Sequence, residues 1–189
     1  MLRHLYLIAA LLALAACQTV RLDSDFDPHR DYASLQSWAW QEPAVRYSPD
    51  DPRLSSDLTA QRVREAVAQQ LEQRGLRQAA DPAAADFHVQ AFMIVDRRQE
   101  QVATAYAGGG YWGRGYWGGM WGYPYTEVRT YDYQVGTLQL DFIDRDGRLI
   151  WRGSAEQVLR RGQRSPAERS SEIHETVAKI LAQYPPRGR

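Results

Sequence analysis

Between Asp86 and Val95 the chain reads DFHVQAFMIV, and Phe87, Val89, Ala91, Met93 and Val95 alternate with His88, Gln90, Phe92 and Ile94. A period of two is the period of a β-strand, whose successive side chains point to opposite faces. The alternation predicts a long strand over Asp86–Ala105, with a second face that is itself half apolar. A further run, Thr126–Asp144, puts Leu138, Leu140 and Phe142 on one face. Arg148–Leu159 follows, with Leu149 and Trp151 assigned to a common face. Asp144-Arg145-Asp146-Gly147 separates these two runs, and Asp-Gly between alternating segments is a strong hairpin signal.

Two other segments carry the helical period. Asp57–Arg74 sets Val63, Ala66, Val67, Gln70 and Leu71 in a stripe, with Ser55 or Ser56 placed to cap it and Gly75 to end it. The second helix opens at Ser165-Pro166-Ala167-Glu168, a reciprocal capping pattern. Its stripe is Ile173, Val177, Ile180, Leu181 and Tyr184, and Pro185-Pro186 stops it. Near the start, Leu35–Gln41 reads as a strand with Trp38 and Trp40 toward the core, and Pro43–Ser55, with three prolines, as a loop. The expected fold is α+β: an antiparallel β-sheet of four to five strands with two helices packed on one face. At 189 residues, 44% of them hydrophobic, the chain has enough material for one core.

The first seventeen residues, MLRHLYLIAALLALAAC, make a different kind of segment. Arg3 supplies a positive start, and Leu5–Leu14 is an apolar run too short to anchor in a bilayer as a helix. Together they form a secretory signal peptide. Leu14-Ala15-Ala16-Cys17 resembles the bacterial lipobox, in which the peptidase cuts before the Cys and the thiol takes a diacylglyceryl group. Several acyl chains, palmitate among them, would hold a protein on a membrane where one chain binds only marginally. Cys17 is also the only Cys, so no internal disulfide is expected. Gln18 after it, by resemblance to such lipoproteins, favours the outer membrane. The expected division is a signal peptide at 1–16, a lipidated Cys17 and tether over 17–31, and one domain over 32–186.

Functional chemistry is sparse. The basic and acidic residues balance at 23 each, so no net field draws the chain to nucleic acid. His29, His88 and His174 lack any metal-ligand spacing, and Asp144 with Asp146 lacks the remaining ligands of a calcium loop, so no metal or cofactor is expected beyond the lipid. No nucleophile motif stands out, so no catalytic residue is assigned. Asp86 and Asp141 lie in apolar runs. Each is either a carboxylate with a raised pKa in a cleft or an ordinary residue at a strand end or on a solvent-facing side of the sheet. Arg160-Arg161-Gly162-Gln163-Arg164, with Arg97-Arg98, could meet phosphates of lipopolysaccharide or form a solvated loop.

The segment 107–125, AGGGYWGRGYWGGMWGYPY, joins the two long strands. Three readings are open: a flexible insertion, an adhesive surface for membrane or protein, and a platform for glycan rings. In the latter two the contact residues are Tyr111, Trp112, Tyr116, Trp117, Trp121 and Tyr123.

Read in order, Ser37-Trp38-Ala39-Trp40, Ala85-Asp86-Phe87-His88-Val89, Gly136-Thr137-Leu138 leading to Asp141 and Asp144, Trp151-Arg152-Gly153, and Ile180 to Pro185-Pro186 form a series. The series resembles the bacterial lipoproteins grouped as domain of unknown function 4136, over most of residues 26–186. The resemblance implies lipidation and an α+β fold and supplies no catalytic residue. The expected role is a lipid-anchored periplasmic lipoprotein of the outer membrane, non-enzymatic and accessory or structural in the cell envelope. Its expected partners are the membrane and an envelope protein or glycan. The rival expectation is a ligand- or glycan-binding module using the aromatic segment, and a periplasmic enzyme comes third.

Overall fold

The computed structural model describes residues 20–106, 125–159 and 162–186. Among them are strands β1 (Arg21–Phe26), β2 (Ser37–Ser48), β3 (Arg77–Gln78), β4 (Phe87–Tyr106), β5 (Tyr125–Asp144) and β6 (Leu149–Val158). Helix α1 spans Asp57–Glu72 and α2 spans Pro166–Leu181. The strands form one sheet in the order β1-β6-β5-β4-β2-β3.

Both helices start and stop where local chemistry directs. The Ser56 hydroxyl accepts from the Thr59 amide at the head of α1. Gly75, at φ +83°, closes it with the Leu76 amide donating back to the Leu71 carbonyl. At α2 the Ser165 hydroxyl accepts from the Glu168 amide while the Glu168 carboxylate accepts from the Ser165 amide. Gly147, at φ +79°, turns the chain between β5 and β6.

The α1 residues Val63, Ala66, Val67 and Leu71 and the α2 residues Val177, Ile180 and Leu181 are buried in one core. It also holds Phe87, Val89 and Ala91 of β4, Leu138, Leu140 and Phe142 of β5, and Trp151 and Ala155 of β6. Trp38 and Trp40 are buried there too, edge to face at 5.4 Å. The sheet positions are alternate residues, so the period of two correctly selects the face under the helices.

Four expectations are corrected. The sheet has six strands rather than four or five, and it is mixed: β2 runs parallel to both β3 and β4. The parallel pair follows from connectivity, because α1 crosses between β2 and β4 and a helical crossover returns the chain in the same direction. Arg21–Phe26, assigned to the tether, is an edge strand antiparallel to β6. Its alternation of Leu22, Ser24 and Phe26 with Asp23 and Asp25 is short and almost wholly exposed, which hid it. Strand β2 continues through Pro43 to Ser48, with a register shift between Trp40 and Val45. Pro43 falls within that irregularity, where a missing N–H breaks no ladder bond. Leu149 and Trp151 do not share a buried face: a register shift at Phe142/Ile143 buries Ile150 and leaves Leu149 43% exposed.

Strands β4 and β5 outrun their neighbours. β2 pairs with β4 only as far as Ile94, and β6 pairs with β5 only from Val135 onward. From Arg97↔Gln134 to Tyr106↔Tyr125, ten rungs, the two strands pair with each other alone. This two-stranded ribbon leaves the body at the end where both helices begin.

Candidate functional site

The carboxylates that sequence reasoning singled out are structural fasteners. Asp86 precedes β4. One of its oxygens accepts from the Gln36 amide at 3.0 Å, the Ser37 amide at 2.9 Å and the Ser37 hydroxyl at 2.8 Å. The other accepts from Arg145 at 2.8 Å. The Gln36 amide is the main influence lowering its pKa; burial works against it, and Ser37 and Arg145 add to the lowering. The raised-pKa reading of Asp86 therefore fails, and the strand-end reading holds. Arg145 also donates to the carbonyls of Ala84 and Ala85, tying the β5–β6 turn to the entry of β4.

Asp141 lies on the sheet face away from the helices and is 4% exposed. Arg152, its rung partner on β6, grips it with two hydrogen bonds of 2.7 and 2.5 Å, and Gln139 donates a third of 3.0 Å. A paired, planar fork of this kind is a satisfied ion pair. The row extends across the sheet from Gln90 through Asp141 and Arg152 to Asp25. Asp144 accepts from the amides of Asp146 and Arg148 and pairs with Arg30 at 3.4 Å. Its oxygens thus serve the turn between β5 and β6.

His88 contacts the Pro82 carbonyl at 3.1 Å, while His29 and His174 lie on other elements. Among the described residues no three His, Cys, Asp or Glu side chains are gathered to hold a metal. Of the arginines weighed as a phosphate site, Arg98 is bound bidentately to Glu156 at 2.9 and 2.6 Å, and Arg164 pairs with Glu172. Arg160 and Arg161 lie outside the described residues, as do the signal peptide at 1–16, Cys17, and Tyr111, Trp112, Tyr116, Trp117, Trp121 and Tyr123.

Sequence reasoning missed one concavity. A cavity of about 320 Å³ opens between the sheet and the first turns of both helices. Met93, Leu138 and Ile173 give it apolar walls, and Arg164, Arg169 and Glu172 add charge. Its residues come from six separate segments, so no local motif announces it. At this volume it falls at the small end of ligand pockets. Arg164 and Glu172 neutralise each other, which leaves Arg169 as the uncompensated charge among its described lining residues.

The sequence matches the family described as domain of unknown function (DUF4136) over residues 22–186. The chain belongs to this family. The match begins within β1, in line with that strand being part of the fold. No curated protein matches it in sequence. Among solved structures it is similar to a DUF4136 family protein from Bacteroides thetaiotaomicron, at 20% identity and a TM-score of 0.54, covering 89% of this chain and 97% of that one. It is also similar to a PDZ domain protein from Parabacteroides distasonis, at 16% identity and a TM-score of 0.54. That alignment covers 94% of this chain but only 39% of the other. A third similarity is to PelC from Paraburkholderia phytofirmans, solved as a dodecamer, at 14% identity and a TM-score of 0.44. The likenesses at 0.54 show a shared fold, and the family is one of unknown function.

Proposed function

We propose that this DUF4136 domain is a lipid-anchored component of the bacterial envelope, held at the periplasmic face of the outer membrane through Cys17, with a non-enzymatic accessory or structural role. The observation that carries the reading is the spacing between Cys17 and the fold. Strand β1 starts at Arg21, four residues after Cys17, and every described strand, helix and core residue lies from Val20 onward. Cleavage ahead of Cys17 would therefore leave the sheet, both helices and the core intact. The non-enzymatic part is supported by the carboxylates Asp86, Asp141 and Asp144, each already occupied by a hydrogen-bonding or ionic partner.

The test is the mature protein itself. Its mass should show loss of residues 1–16 and gain of acyl chains on Cys17, and it should fractionate with the outer membrane. Cys17→Ser should accumulate as precursor or appear in the soluble periplasmic fraction. A Cys17→Ser chain with unchanged mass and unchanged membrane fractionation would overturn the reading.

A second reading, capture of a ligand or glycan by the aromatic segment, is favoured by one feature. The last rung of the ribbon, Tyr106↔Tyr125, places the ends of that segment ten rungs from the body. Retention of the protein on peptidoglycan or lipopolysaccharide, lost when 107–124 is replaced by a Gly/Ser linker, would support it.

A further inference from the structure

Both helices stand off the sheet at their starts. No residue of α1 before Val63 and none of α2 before Val177 is buried, while the turns that follow close down on the core. The wedge between the first turns and the sheet is the cavity of about 320 Å³. Its floor is one row across the core face of the sheet, Tyr47↔Met93↔Leu138↔Ala155. Its outer lip is Leu159, whose side chain lies 2.7 Å from where a Cβ on Gly136 would sit. The bare backbone of Gly136 admits that leucine, and the Gln134 carbonyl fixes it by accepting from the Leu159 amide at 2.8 Å.

The floor is apolar and the charge belongs to the helix side. α2 brings Arg169, Ile173 and Thr176 to the cavity, positions three and four apart on one stripe. The Thr176 hydroxyl is already engaged, donating to the Glu172 carbonyl at 2.7 Å. Arg164 is paired with Glu172. Arg169 is exposed, and its Nε donates to the Arg164 carbonyl at 3.3 Å. Its two terminal nitrogens have no partner among the described residues. Those nitrogens form a fork that fits the two oxygens of a carboxylate.

Size and charge together select the occupant. At ~30 Å³ for each methylene-sized group, a cavity of about 320 Å³ holds about ten such groups. That is room for one hydrocarbon chain of medium length and not for the two chains of a phospholipid. One uncompensated cation among the described lining residues suits one anionic head.

We infer that this cavity binds a free single-chain carboxylate of about ten carbons, its tail on the Met93, Leu138 and Ala155 floor and its head on Arg169. The site stands apart from the lipid-anchor reading, because its described lining begins at Tyr47. It also stands apart from the aromatic segment, which contributes no described lining residue.

The test is a titration followed by backbone amide NMR on the chain from Cys17 onward carrying Cys17→Ser, which keeps every described element and needs no detergent. Saturated carboxylates, each kept below its micelle concentration, should shift the amides of Met93, Leu138, Ala155 and Ile173. Affinity should rise about three- to fourfold per methylene from hexanoate to decanoate and level off once the cavity is full. Arg169→Gln should weaken octanoate about tenfold and leave octanol binding unchanged. Decyltrimethylammonium, with the opposite head, should bind more weakly than decanoate by a similar factor. Ile173→Trp should block octanoate and octanol alike at an unchanged melting temperature; if that variant fails to fold, Arg169→Gln, at an exposed position, decides. The inference is overturned by an absence of shifts at millimolar decanoate, by equal binding of the cation, or by octanoate binding indifferent to Arg169→Gln. Shifts seen in the serine chain but absent from the acylated protein in nanodiscs would give the cavity to the protein's own acyl group, and would overturn its assignment to a free carboxylate.

Discussion

Trp151 folds its six-membered ring over Gly153, so closely that a methyl group on Gly153 would overlap the indole, and Ile180 of α2 closes the same space at 2.8 Å from where that methyl would sit. The two residues are neighbours on the core face of β6, separated by Arg152, which points the other way to Asp141. The triplet Trp151-Arg152-Gly153 is thus a single device. One residue fills the core, one clamps the far face, and one leaves room for the first.

Gly153→Ala should therefore destabilise the domain by about 1–3 kcal/mol, the usual cost of overfilling a packed site. Trp151→Ala should cost about 3–5 kcal/mol, because the indole is fully buried. In the double variant the alanine at 153 has no indole to meet, so its cost should largely vanish. Urea midpoints of the four proteins measure the coupling, and strictly additive losses would show that the overlap is relieved elsewhere.

The Asp141–Arg152 pair has unequal members. The Asp141 side chain is 6% exposed and that of Arg152 43%. Arg152→Leu strands a buried carboxylate with Gln139 as its remaining side-chain donor, whereas Asp141→Asn leaves an arginine that can turn to water. We expect the arginine variant to lose more, about 2–4 kcal/mol against about 1–2 kcal/mol. Equal losses in denaturant unfolding would mean that water reaches Asp141 freely.

How far the fold was legible depends on how local its cause is. The period of two in Phe87–Val95 and Leu138–Phe142 named the buried face because each residue's neighbours two away share its environment. The caps at Ser56 and Ser165 and the turn at Gly147 are local as well, and all three were readable. The parallel pairing of β2 with β4 was not, since it depends on where α1 carries the chain. Strand β1 was missed because one edge strand with two aspartates among six residues buries too little to impose a pattern. Of the candidate site, Asp86 and Asp141 were visible as carboxylates in apolar runs, but their partners lie 49 and 11 residues away. The cavity draws on six segments and left no trace at all.

Asp86 should shape the acid limb of stability. Its carboxyl is held below the ordinary value by the Gln36 amide above all, so the folded state keeps its proton off where the unfolded chain would bind one. The stabilisation is present above the ordinary carboxylate range, about pH 4, and is lost as pH falls through the lowered folded value. Asp86→Asn should weaken the domain at neutral pH, and the gap to the parent should close on acidification. Unfolding midpoints measured from neutral pH down to about pH 2 test this, and a gap of constant size across that span would remove Asp86 from the acid response.

Tyr184 should govern the alkaline limb. Its ring is packed among Phe87, Phe142 and Trp151, with the closest centroid, that of Phe142, at 4.9 Å. Its hydroxyl makes no hydrogen bond within the described residues. Burial first, and the neighbouring Tyr32 second, push its pKa up to about 12. A raised folded value means that the neutral phenol stabilises the fold fully below the ordinary tyrosine value, about 10, and that this is lost as pH climbs through about 12. Two units correspond to about 2–3 kcal/mol. Tyr184→Phe keeps the ring and deletes a hydroxyl that has no partner, so at neutral pH its stability should match or slightly exceed the parent's. Between about pH 10 and 12 the parent should fall away from the phenylalanine variant by up to that amount. Alkaline denaturation curves that superimpose for the two proteins would show that Tyr184 ionises without opposition from the core.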